Sequence, residues 1–118
     1  QEAALEALSG DQACIDPMVK AFKERHDYVV DRLNRMPGIS CLTCDGTFYA
    51  FVNINEAIGQ LDGVNSDLEF AEYLLNEADV AVVPGTAFGL EGYFRMSYAI
   101  SMDNLKTALD RIEKVVAK

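Results

Sequence analysis

Four kinds of residue in this chain have side chains that could do chemistry: an arginine in a strand-like run, a CxxC cysteine pair, a single histidine and five lysines. The arginine is Arg95, inside GYFRMSYAIS (92–101). Period-2 alternation places Phe94, Met96, Tyr98 and Ile100 on one face of that run and Tyr93, Arg95 and Ser97 on the other, so the arginine points away from the apolar, core-facing side. It is also isolated. Five of the ten basic residues lie between Lys20 and Arg35 and four between Lys106 and Lys118, leaving Arg95 alone in a stretch (36–105) that carries ten acidic residues. Two readings follow. Arg95 either pairs with one of those carboxylates or extends into solvent, an arrangement contributing only about 0–1 kcal/mol. Alternatively it is an anion receptor, a planar fork gripping a carboxylate bidentately, with each charged hydrogen bond contributing roughly 1.5–3 kcal/mol. The glycine-punctuated loop GTAFGLEG (85–92) beside it leaves a ligand room to approach. Composition does not choose between them.

The other candidates point to less. Cys41 and Cys44 form one CxxC, but a zinc ribbon needs a second pair and redox CxxC motifs open a helix, whereas this one ends the strand-like ISCLTC. Residues three apart in a regular strand face opposite ways, so the two thiols are expected to diverge. With Cys14 the cysteine count is odd, against a fully paired disulfide framework, and all three read as small buried or half-buried residues. His26 lies among Glu24, Arg25 and Asp27 on a charged helix and reads as a surface residue. No second histidine supports a metal site, and no Ser/His/Asp constellation can be assembled. Lys20, Lys23, Lys106, Lys114 and Lys118 all fall on predicted helices among polar neighbours, with no serine- or glycine-rich phosphate cradle before any of them. No catalytic, cofactor-binding or metal-ligating residue is assigned.

A length of 118 residues suits one domain and one core. The formal charge of −9 repels nucleic-acid backbones and anionic lipid surfaces. No apolar run reaches the roughly 20 residues of a spanning helix, and a cytoplasmic protein is expected.

The elements that must position Arg95 can be read in order. QEAALEAL (1–8) is strongly helix-forming and Ser9-Gly10 ends it. Asp16-Pro17 opens a second helix with a carboxylate cap and a first-turn proline. Its face is Met18, Phe22, Val29, Leu33 and Met36, and Pro37-Gly38 stops it. Runs 39–43 and 47–53, joined by a turn holding Asp45-Gly46, read as a hairpin. Ser66-Asp67-Leu68-Glu69 is a capping box, and the helix it opens presents Leu68, Ala71, Leu75 and Ala78. A buried strand over 80–84 and the arginine strand follow. A last helix is capped by Ser101, buries Met102, Leu105, Leu109, Ile112 and Val116, and carries Lys114 and Lys118 at its end. The order predicts an α+β domain, a three- to four-stranded sheet with helices mainly on one face.

VVPGTAFG (82–89) followed by GYFRMSYA (92–99) resembles the C-terminal signature of the class I pyridoxal-phosphate aminotransferases, the aspartate aminotransferase family. GTFYAF (46–51) and QEAALEAL resemble two further segments of that family, in the same order and spacing. The resemblance implies that Arg95 binds the α-carboxylate of an amino-acid substrate, orienting its Cα proton over the cofactor ring. It also implies pyridoxal phosphate in the parent enzyme, amino-acid and 2-oxo-acid substrates, and a homodimer. The family's Schiff-base lysine belongs to a large domain that these residues do not supply. Residues 1–10 are therefore expected to be the remnant of a helix leading from that domain, and 11–118 the small C-terminal domain. By itself the chain is expected to be inactive and to bind no cofactor tightly. Tyr93, Phe88 and Phe51 read either as lining a surface toward the large domain or as ordinary core and surface aromatics. The competing reading is a stand-alone α+β amino-acid-binding or regulatory module.

Overall fold

A computed structural model describes residues 1–117. Helix α1 (Glu2–Ser9) buries none of its residues. Helix α2 (Ile15–Leu33) leads to β1 (Ser40–Cys41) and β2 (Tyr49–Asn53), then the short α3 (Asn55–Ile58) and α4 (Asp67–Ala78). Strand β3 (Val83–Pro84) runs into a 3-10 turn (Gly85–Phe88), β4 (Tyr93–Ser97) and α5 (Met102–Val116). The strands form one antiparallel sheet in the order β1-β2-β4-β3. The α+β architecture and four-stranded sheet agree with the pattern of the sequence. The predicted Lys118 at the end of α5 lies outside the described residues.

Helices α2, α4 and α5 cover one face of the sheet. Val52, Phe94, Phe70, Leu74, Leu33, Leu105, Leu109 and Ile112 are fully buried between them. Each such side chain contributes roughly 1.5–3 kcal/mol through apolar area withdrawn from water. In β4, Phe94 and Met96 are buried while Tyr93 and Arg95 are half-buried and Ser97 is exposed, the alternation expected for a sheet with one covered face. Tyr98 continues the buried series, but Ile100 is exposed because β4 ends at Ser97 and the chain has turned toward the α5 cap.

Several local expectations are corrected. Helix α2 begins at Ile15, flanked by Cys14 without a side-chain cap bond, so Asp16 is a first-turn acid and not the cap. Its predicted face is fully buried only from Val29 onward, with Phe22 half-buried against the core. Val29, Leu33 and Met36 are buried, whereas Met18, near the start of the helix, is 52% exposed. The predicted stripe of α4 is rotated. Phe70, Ala71, Leu74 and Ala78 pack inward while Leu68 and Leu75 are both about half exposed, since two apolar rows run down this helix and only one meets the sheet. Strand pairing is shorter than the runs 39–43, 47–53 and 80–84 suggest, covering two, five and two residues. Ser66 does cap α4, accepting from the Glu69 amide at 3.2 Å, but the Glu69 carboxylate returns to the Asn65 amide, one residue beyond the cap. Ser101 caps α5 through the Asn104 amide.

Candidate substrate-binding face

The uncovered face of the sheet is built by the register of β2 and β4. Phe51 pairs with Arg95, Tyr49 with Ser97 and Asn53 with Tyr93, so all six side chains project to the same side. On β3, Val83 stands opposite Arg95 from the other direction. Arg95 is thus central, flanked by a strand on each side, while the 3-10 turn lays Phe88 over it.

The guanidinium carbon of Arg95 lies 4.5 Å from the centroid of the Phe88 ring and 5.3 Å from that of Tyr49. Phe51 stacks on Tyr93 at 5.1 Å with rings 12° apart, and meets Phe88 edge-on at 6.3 Å. The three aromatics singled out in the sequence therefore belong to one cluster around the arginine. Ring faces attract a cation by about 0.5–2 kcal/mol, depending on desolvation. They offer no acceptor for its N–H groups. Among the described residues no carboxylate lies within ion-pair distance of Arg95, despite the acidic surroundings in sequence. Of the two sequence readings, pairing with a neighbouring carboxylate is therefore not realised.

The turn over the arginine is held by a residue the sequence reading treated only as part of a helix cap. Asp67, in the first turn of α4 and 3% exposed, accepts from the Thr86 amide at 2.6 Å and from the Thr86 hydroxyl at 2.8 Å. Burial alone pushes its carboxyl up. The Thr86 amide and hydroxyl, with the first-turn amides of Asp67 and Leu68, outweigh that and hold it below the usual carboxylate range. Gly85 is required by space, because a Cβ there would run into the Leu90 carbonyl and the Tyr93 backbone. Gly92 has φ +75° and would drive a Cβ into Asn55, whose side chain donates to the Gly92 carbonyl at 3.3 Å.

The remaining chemical candidates are dispersed. Cys41 is buried as expected, and burial followed by the neighbouring Cys44 pushes its thiol up to about 11, leaving it inert. Cys14, flanking the start of α2, and Cys44, in the hairpin turn, are exposed, contrary to the expectation for all three. His26 is buried and not on the surface. Its Nε2 accepts from the Cys44 amide at 3.1 Å, its Nδ1 is 2.9 Å from Asp27 Oδ1, and its ring meets Tyr98 edge-on. The turn of the β1–β2 hairpin folds over α2 at this point, which the helical pattern alone does not reveal. Lys20, Lys23, Lys106 and Lys114 are all exposed on α2 and α5, in the helix layer on the far side of the sheet from Arg95. Among the described residues no cluster of three or more metal-ligating side chains occurs. No described helix is long and apolar enough to cross a membrane.

Comparison with known proteins decides the family. Residues 1–112 match the family model described as aminotransferase class I and II. The chain belongs to that family. An aspartate/prephenate aminotransferase from Nitrosomonas europaea is 48% identical over 122 residues, covering 99% of this chain and 31% of that protein. Among solved structures, the aspartate aminotransferase from Rhizobium meliloti superposes with a TM-score of 0.91 at 39% identity, over 98% of this chain and 30% of its own. An alanine aminotransferase from Pyrococcus furiosus gives 0.88 at 36% identity, over 98% and 28%. The chain thus spans less than a third of the length of these aminotransferase relatives.

Proposed function

We propose that this chain is the C-terminal small domain of a pyridoxal-phosphate-dependent aminotransferase, moving an amino group between an amino acid and a 2-oxo acid, and that Arg95 binds the substrate α-carboxylate. The observation carrying this reading is the state of Arg95. A half-buried arginine, braced by two aromatic faces and, among the described residues, without a carboxylate partner, keeps its fork of donors for an anion. Two parallel N–H···O bonds from a guanidinium fix a carboxylate in position and in plane, so the substrate's Cα bonds acquire a defined direction.

The residues present do not fit a resident cofactor. Every described lysine lies in the helix layer, away from the arginine face. In this reading the cofactor, its Schiff-base lysine and the rest of the pocket belong to the longer protein and to the second subunit of a cytoplasmic homodimer. The open sheet face agrees with that division. Half a site is a surface and becomes a pocket only when covered. Closure of the other half over it would exclude water and strengthen the guanidinium–carboxylate contact. The chain alone is expected not to turn over. A regulatory module has no reason to match aminotransferases along its whole length.

The test is Arg95→Ala in the full-length enzyme. It is expected to raise KM for both L-aspartate and L-alanine by at least about 100-fold, as the loss of two charged hydrogen bonds requires. The cofactor's absorbance should be unchanged. Unaltered KM values together with loss of the cofactor band would assign the residue elsewhere.

A further inference from the structure

Asp67 stands where the helix layer meets the open face. A buried carboxylate persists only where its partners offset its desolvation. Here the partners beyond its own helix are one residue, Thr86, which presents its amide and its hydroxyl to the two oxygens at 2.6 and 2.8 Å. An acid serving only the helix dipole would need neither contact. Thr86 lies in the turn Gly85–Phe88, which closes on itself through Leu90 N–H to Gly85 O at 3.2 Å and Gly89 N–H to Thr86 O at 3.0 Å. At the far end of that turn is Phe88, 49% exposed and so not held by core packing. Its ring meets the Arg95 guanidinium at 4.5 Å and the Phe51 ring at 6.3 Å. The orientation of the ring that braces Arg95 therefore depends on the turn, and the turn is tied to the rigid part of the domain at Asp67.

We propose that Asp67 is a positioning residue for Arg95, acting through Thr86 and Phe88 to hold the guanidinium in the attitude in which it receives a carboxylate. This rests on the reading of Arg95 as the carboxylate-binding arginine. A misplacement of a binding group by about 1 Å can cost up to about 100-fold, and a loosened turn is a smaller fault.

The test uses the full-length enzyme with L-aspartate as probe. Asp67→Asn is expected to raise KM about tenfold and Thr86→Val about threefold, with kcat within about twofold. Thr86→Ser, which keeps the hydroxyl, should restore the wild-type KM. In an Arg95→Ala background Asp67→Asn should add nothing to KM, since the residue it positions is gone. A lowered thermal midpoint is expected on either reading, but a purely structural role would leave KM unmoved, and that result overturns the proposal. So does an equal rise in KM with and without Arg95. Should Asp67→Asn fail to fold, the Thr86 pair carries the test, and equal KM values for Thr86→Val and Thr86→Ser overturn it. If Arg95→Ala itself leaves KM unchanged, the underlying reading fails. An unmoved KM in Asp67→Asn beside a raised one in Arg95→Ala removes only the role of Asp67.

Discussion

Arg32 and Arg95 are both half-buried arginines, and the fold treats them in opposite ways. Arg32, on α2, donates to Asp110 and Glu113 of α5 at 2.7 Å each and to the Tyr28 hydroxyl at 2.7 Å. Its charge is used up in tying two helices together. Arg95 receives ring faces from Phe88 and Tyr49 and, among the described residues, no carboxylate. A guanidinium whose charge is already matched by carboxylates of its own chain has little left to offer an anionic ligand. One braced only through its π-face keeps its donors, which is the physical difference between a structural arginine and a receptor.

The contrast can be broken or sharpened at several points. The largest effect on folding should come one residue from Arg95, on the other face of the same strand. Phe94→Ala in the full-length protein is expected to cost about 3–5 kcal/mol, read by denaturant unfolding, because Phe94 is fully buried and stacked on Phe70. Arg95→Ala should change stability by no more than about 1 kcal/mol while abolishing tight carboxylate binding. Equal stability losses at the two positions would mean that the arginine face is also core.

Asp67 provides an intermediate test through pH. Its carboxyl is held below the usual range, so its contribution to stability is complete above the unfolded value of about 3.9 and is lost as pH falls through the lower folded value. The thermal midpoint of Asp67→Asn should therefore lie below wild type by a constant gap between about pH 5 and 8, and the gap should close below about pH 4. A gap that persists undiminished in strong acid would show that the lost stability is not linked to this ionisation. The smallest effect belongs to the other arginine. Arg32→Met is expected to cost about 1 kcal/mol, since its carboxylate partners are largely exposed, and to leave KM for L-aspartate unchanged. A raised KM there would erase the distinction between the two arginines.

Much of the fold is legible in the chain because period and capping are local. The alternation in 92–98 identifies which side Arg95 takes, and Ser66 and Ser101 mark the starts of α4 and α5. Where the reading missed, a partner distant in sequence was responsible. Helix α4 carries two apolar rows, and its contact with β3 and β4 selects Phe70, Leu74 and Ala78 over Leu68 and Leu75. His26 looks like a surface residue until the hairpin turn eighteen residues later brings the Cys44 amide onto it.

The sequence by itself determined the α+β class, the outward side of Arg95 and, through VVPGTAFG and GYFRMSYA, the family. These follow from short-range periodicity and from residues adjacent in the chain. Only the tertiary structure decided that Arg95 goes without a carboxylate partner among the described residues, that Phe88 and Tyr49 brace it, and that Asp67 holds the turn above it. Those facts depend on the register of β2 against β4 and on a bond between residues nineteen positions apart, and no local pattern specifies either.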